Sequence, residues 1–262
     1  FASKDRWTRP VMVRTGPDGA LWVADMYRYM IEHPQFLPEE GKDELKDFYR
    51  LGDNRGRIYR VYRKGQDLSR TPNLEMLTSS ELVATLENRN GWQRDTAQAL
   101  LVDRKDTSVV PELMKMAAAS KEPLARLHAL YALQGLDALT AAILKGGIAD
   151  PSPGVRRHAV RLSEKLQNDH SGLSEALLKM VDDTDAKVRM QLAYSLGEWS
   201  GEAVATALGR LAFADEMDPF MTAAIISSVN TDNLMGVLLS LLDERSKDSR
   251  GGELLGPLLD LA

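Results

Sequence analysis

Asp150-Pro-Ser-Pro-Gly-Val-Arg-Arg-His-Ala-Val-Arg-Leu-Ser-Glu-Lys-Leu166 decides the fold. Its prolines and glycine make a polar turn, and from Val155 onward apolar residues recur at helical spacing, so a turn feeds an amphipathic helix. Weaker copies lie on both sides. Gln93-Arg94, Ala125-Arg126, Val155-Arg156, Val188-Arg189 and Phe220-Met221 align, each followed by a small or aliphatic residue three positions after the second member. The second members stand at 94, 126, 156, 189 and 221, with steps of 32, 30, 33 and 32 residues. A period of that size marks a stack of helical hairpins in which each unit buries its apolar face only against its neighbours. Between these helices lie the expected partner helices at 109–119, 138–144, 173–181, 203–213 and 234–242. Thr78-Ser-Ser-Glu81 reads as a capping box that opens the helical region.

Two familiar repeats of similar length fit poorly. The Trp, Gly, Tyr and Pro spacing of tetratricopeptide repeats is missing, and so is the Thr-Pro-Leu-His of ankyrin repeats. The pattern resembles HEAT repeats, in which a turn Asp precedes an Arg of the second helix by six residues. Asp150 precedes Arg156 and Asp183 precedes Arg189 by that interval. Arg94 and Arg126 hold the Arg position of the first two repeats, where Asn88 and Ser120 replace the Asp; Asp215 remains in the fifth, with Met221 in place of its Arg. The expectation is a structural ladder of Asp150, Arg156, Asp183, Arg189, Arg94 and Arg126, with each Arg able to bond neighbouring turn carboxylates. The fold class is therefore mainly α: about five HEAT-type hairpins forming an α-solenoid over residues 71–262.

Residues 1–70 differ in character. They carry a net charge of +3, against -8 for 71–262. Arg9–Thr15 and Ala20–Asp25 read as strands joined by Pro17-Asp18-Gly19, which is turn chemistry. Arg57–Arg63 alternates as a half-buried third strand. Trp22, Tyr59 and Tyr62 are expected in its core. Between the second and third strands lies an irregular stretch with a short helix at 39–50. Three strands leave their edges unpaired, so the region reads as the last blade of a larger sheet assembly, a β-propeller.

Arg9-Pro-Val, Arg14-Thr-Gly-Pro-Asp-Gly-Ala-Leu-Trp-Val-Ala-Asp-Met-Tyr27, Ile31-Glu-His33 and Asp53-Asn-Arg-Gly-Arg-Ile-Tyr-Arg-Val61 resemble the propeller end of the membrane-bound dehydrogenase family common in planctomycetes. Such proteins are similar to quinoprotein glucose and sorbosone dehydrogenases, continue into HEAT repeats and often end in a Cys-x-x-Cys-His cytochrome domain. The resemblance implies a piece of a longer exported or periplasmic protein. Its cofactors would be a pyrroloquinoline-type quinone, Ca²⁺ and c-type haem, and none of them is expected within these residues. It makes Asp25, His33 and Arg57 the candidates for a propeller mouth. Asp25 either faces a cofactor there or caps the turn beneath it. His33 either serves as a general base or packs its loop. Arg57, like Arg14 and Arg28, either pairs with an anionic cofactor or makes salt bridges.

Composition narrows the functions further. The net charge of -5 opposes a general nucleic-acid binder. The chain has no cysteine, so these residues make no disulfide, thiolate metal site or covalent haem attachment. No apolar run is long enough to span a membrane. His128 and His158 share a repeat position but lack a third ligand, and read as repeat-surface residues rather than a metal stripe. Asp182-Asp183-Thr-Asp185 lacks the Gly and Glu of a calcium loop and reads as helix capping. Lys145-Gly-Gly147 lacks phosphate-loop spacing. The expected role is a non-catalytic spacer that links a dehydrogenase-like propeller to a cytochrome domain. The alternative is an interaction solenoid that holds another protein on its concave face, with no redox role.

Overall fold

A computed structural model describes residues 3–31, 33–65, 67–68, 70–167, 172–213, 219–247 and 254–260. The chain forms two compact units: Phe1–Met76 with Arg89–Thr96, and Leu77–Asn88 with Ala97–Ala262.

The first unit is built on a three-stranded antiparallel sheet of order β1-β2-β3: β1 (Pro10–Thr15), β2 (Leu21–Asp25) and β3 (Arg57–Val61). The β1–β2 hairpin closes through Gly16-Pro17-Asp18-Gly19, with the Gly19 N–H donating to Gly16 O at 3.0 Å. Gly19 takes the positive φ of 82° that the turn needs. Asp18 is buried beneath it. Its Oδ1 accepts from the Ala20 N–H (3.0 Å) and the Trp22 indole (3.2 Å), while Oδ2 pairs with Arg60. Burial pushes the Asp18 carboxyl up, but the Ala20 N–H, the Trp22 indole and Arg60 together bring it below its ordinary value. The side chains of Asn90 and Gln93 also hold this turn, donating to Gly16 O and Pro17 O at 2.9–3.1 Å.

The insertion between β2 and β3 contains α1 (Lys42–Lys46), which is shorter than the expected helix. Gly52 anchors the insertion. At φ 93° it passes so close to Tyr27 that a Cβ would lie 2.5 Å from the Tyr27 carbonyl oxygen, and its own carbonyl accepts from Arg28 at 2.7 Å. Ala20, Val23, Tyr27 and Leu37 are the buried apolar residues around the sheet. Trp22 and Tyr62 are not among them: they are exposed to 37% and 53%. That corrects the expectation of a core position. The Trp22 indole is spent covering Gly16 and bonding Asp18, and Ile58 and Met12 stay exposed on the same sheet.

The second unit is a helical stack. Its elements are α2 (Ser79–Thr85), α3 (Gly91–Arg104, whose first turns belong with the small unit), α4 (Val110–Ala119), α5 (Pro123–Gly135), α6 (Ala141–Ile148), α7 (Pro153–Ser163), α8 (Leu173–Leu178), α9 (Ala186–Leu196), α10 (Glu202–Leu211), α11 (Pro219–Ser228), α12 (Leu234–Lys247) and α13 (Leu255–Leu259). The capping box is formed: Thr78 N–H donates to Glu81 Oε2 at 2.7 Å, and Thr78 Oγ1 accepts from the Glu81 N–H at 3.3 Å. Proline occupies the first turn of α4, α5 and α7, where its missing N–H costs nothing.

Even-numbered helices stack on one another from α4 through α12, and odd-numbered ones from α5 through α11. Between the two rows runs one apolar core from Leu130 to Leu258. Leu113, Leu130, Leu133, Leu144, Leu173, Leu177, Leu192, Leu196 and Leu208 are fully buried, each contributing roughly 1.5–3 kcal/mol relative to an exposed leucine. Small residues let the even row close up: a Cβ on Gly209 would lie 2.4 Å from Ser240 Oγ of the next hairpin.

Candidate functional site

The three candidates of the small unit have separate surroundings. Asp25, at the end of β2, is exposed to 2%. Its Oδ1 accepts from the Arg9 N–H at 2.7 Å and the Tyr27 N–H at 3.0 Å. It therefore fastens the start of β1 and the positive-φ turn at Tyr27, as a capping residue does. Its Oδ2 is buried without a hydrogen-bond partner among the described residues. Arg57 faces Asp25 in the β2–β3 register. The guanidinium lies 4.0 Å above the Tyr27 ring and donates to Tyr59 Oη at 3.2 Å. That is a cation–π seat, and among the described residues no ion pair joins Arg57 to Asp25. His33 is exposed in a loop; Nδ1 accepts from the Gln35 N–H at 3.3 Å and the ring meets Phe36 edge-on. Cavities of about 250 and 330 Å³ in this unit are lined by Met26, Arg28, Tyr49 and Asp53, and by Arg6, Trp7, Arg9 and Tyr29, respectively. Asp25, His33 and Arg57 are not in either described lining.

In the second unit the ladder residues meet across repeats. Arg126 reaches Asp150 with both prongs of its guanidinium, Nε to Oδ2 at 2.6 Å and Nη2 to Oδ1 at 2.7 Å. Arg156 holds Asp183 the same way, at 2.7 and 2.8 Å. The remaining nitrogen serves its own turn: Arg126 Nη1 donates to Ser120 O (2.7 Å), Arg156 Nη1 to Asp150 O (3.0 Å), and Arg189 Nη1 to Asp183 O. The six-residue spacing therefore records a backbone contact within one hairpin, and the carboxylate grip falls on the next hairpin. Arg94 follows the first half of this rule with a bond to Arg89 O at 3.0 Å. Asp215 lies outside the described residues.

The aspartates also shape their turns. Asp150 Oδ1 accepts from the Ser152 N–H (2.7 Å) and Asp183 Oδ1 from the Asp185 N–H (2.8 Å). The capping carboxylate of α9 is Asp185, which takes the N–H groups of Lys187 and Val188. Asp182 reaches Arg210 at 3.0 Å. Among the described residues no group of three His, Cys, Asp or Glu could hold a metal. Burial pushes the Asp183 carboxyl up, and the Arg156 guanidinium and Asp185 N–H outweigh that, holding it below the usual range.

A second series of inter-repeat contacts was not read from the sequence. His128 Nδ1 donates to Gln98 Oε1 at 2.6 Å, Tyr131 Oη lies 2.7 Å from His158 Nδ1, and Ser195 Oγ donates to Glu164 at 2.6 Å. They bridge α3–α5, α5–α7 and the α7 end to α9. The signal lay in the repeat register: polar residues recur two to nine positions after each ladder Arg, where a helix facing only solvent has no need of them. His128 and His158 sit at one repeat position, and each is engaged across a repeat boundary.

Residues 136–230 match the family model of HEAT repeats, and residues 1–65 match a domain of unknown function (DUF7133). No curated protein matches the chain. The helical unit is a HEAT-type solenoid, an architecture whose extended surfaces bind other proteins. Ahead of it stands the small antiparallel sheet of the DUF7133 region. No helix among the described residues is long and apolar enough to cross a membrane.

Proposed function

We propose that the chain is a non-catalytic interaction and spacing segment of a larger exported dehydrogenase-like redox protein. In this reading the sheet of residues 1–65 closes a sugar- or alcohol-dehydrogenase-like propeller, and the solenoid sets the distance to a cytochrome domain or holds a partner on its concave face. The observation that carries it is the pairing of HEAT repeats, clamped one to the next by buried Arg–Asp forks, with an N-terminal sheet region that resembles the dehydrogenase propeller end. A stack so clamped transmits geometry, as a spacer requires.

The cofactors that the resemblance implies do not fit the residues present. Asp25, His33 and Arg57 do not converge on one cavity, the described residues hold no ready Ca²⁺ set, and the chain has no cysteine for haem attachment. Quinone, Ca²⁺ and haem chemistry therefore belong to other parts of the parent, and no catalytic step is assigned to this segment.

Two measurements test the proposal. The coding sequence on either side should supply further propeller blades upstream and a Cys-x-x-Cys-His motif downstream; a gene lacking both overturns the redox reading and leaves a plain interaction solenoid. The isolated chain, given quinone, Ca²⁺ and an electron-accepting dye, should show no turnover of sugars or alcohols. Measurable turnover would give the small unit a catalytic role.

A further inference from the structure

Helix α7, Pro-Gly-Val-Arg-Arg-His-Ala-Val-Arg-Leu-Ser, contains three arginines, one histidine and no acidic residue. Arg156 is spent on Asp183. Arg157 and Arg161, one helical turn apart, are spent on no carboxylate among the described residues, and exposed Lys165 follows a turn later. They stand on a segment, 71–262, whose net charge is -8.

The repeat register shows how singular this spot is. One residue after the ladder Arg come Leu127, Arg157 and Met190; five residues after it come Tyr131, Arg161 and Tyr194. The basic pair thus falls in the middle of a row whose neighbouring positions on α5 and α9 are apolar or aromatic. The local hydrogen bonds prepare the row to receive an acceptor. Arg157 can only donate, so its contact with His158 Nε2 at 3.3 Å assigns that nitrogen as acceptor. The imidazole proton then sits on Nδ1 and is given to Tyr131 Oη at 2.7 Å, which leaves the Tyr131 hydroxyl proton to donate outward. Arg157 and Arg161 crowd the same imidazole, and together with burial they keep His158 below its ordinary pKa. The one carboxylate at the edge of the group, Glu164, accepts from Ser195.

We infer that Arg157, Arg161 and Tyr131 form a docking point for an acidic segment of a partner protein, its carboxylates on the two guanidinium groups and its apolar side chains on Leu127, Met190 and Tyr194. Charge complementarity selects this occupant. Two arginines about one helical turn, 5–6 Å, apart match carboxylates on a short peptide, whereas the acidic remainder of the solenoid repels the long uniform charge of nucleic acid or an anionic membrane. The inference rests on the reading of the solenoid as an interaction surface and adds the chemistry of the partner.

The test uses the whole chain and a dye-labelled hexaglutamate peptide, followed by fluorescence anisotropy at low salt. Binding is expected, with a hexaglutamine control failing to bind. The double substitution Arg157→Glu/Arg161→Glu should weaken binding at least about tenfold, and added salt should weaken it in the unsubstituted chain. Arg157→Gln/Arg161→Gln, checked for an unchanged melting curve, gives the answer should charge reversal disturb folding. Equal binding by the substituted chains overturns this patch while leaving the solenoid as a binding surface. No binding at all, or tighter binding of duplex DNA or anionic vesicles than of the peptide, overturns the choice of occupant. Neither result touches the redox reading, which is decided by the flanking gene.

Discussion

Arg126 and Asp150 are exposed to only 9% and 6% at their side chains, so their pair is nearly dry. Taking one partner away strands the other in a place where water cannot reach it. Asp150→Ala is expected to lower unfolding stability by about 3–5 kcal/mol, measured by urea denaturation. The companion double substitution Arg126→Met/Asp150→Leu should recover much of that loss, because the unpaired charge goes with it. A loss under 1 kcal/mol from Asp150→Ala would mean that water enters the site. The residue scale is also where sequence reasoning ran short. Asp25 gave two readings, and only the positions of the Arg9 and Tyr27 N–H groups show that its Oδ1 fastens backbone. Arg57 gave two as well, and its seat on Tyr27 was neither. A ring and a guanidinium thirty residues apart leave no spacing to read.

At the scale of elements, the even-numbered row closes on small residues. Gly209 on α10 meets Ser240 on α12, and Gly236 meets Ala205. Gly209→Val would drive a branched side chain into Ser240 and the α12 backbone. It should cost about 1–3 kcal/mol, seen as a lowered thermal midpoint, and Gly209→Val/Ser240→Gly should restore part of it. Gly256, with nothing within 4 Å of a built Cβ, is the control position. The helices themselves were legible because every hairpin solves the same problem: an apolar stripe must meet its neighbours, so the stripe recurs at the repeat period. The strands were legible in position too. Their burial was not, since alternation tells which side chains share a face and leaves open what covers it. Trp22 and Tyr62 show the difference.

Over the whole molecule, stability is coupled to pH through two groups whose shifts have the same sign. Burial and the arginines beside it hold His158 below its ordinary value near 6.5, so the unfolded chain takes up its proton first. Stability from this site is complete above pH about 6.5 and falls as pH drops toward the folded pKa. Asp183, also depressed in the folded state, contributes above pH about 4 and loses its contribution as pH falls through its folded value. Denaturation midpoints between pH 7 and 3 should therefore decline in two stages. His158→Gln should remove the upper stage alone, and an unchanged upper stage in that variant would assign it to another group.

The forks also run in one direction. Ser120 O is held by Arg126, whose other prongs grip Asp150; Asp150 O is held by Arg156, which grips Asp183; Asp183 O is held by Arg189. Backbone, guanidinium and carboxylate alternate without a break across consecutive hairpins. Under tension applied at the two ends of the stack, this line bears load beside the apolar core, and it yields one fork at a time. The solenoid is thereby a graded spring, whose extension proceeds in hairpin-sized steps.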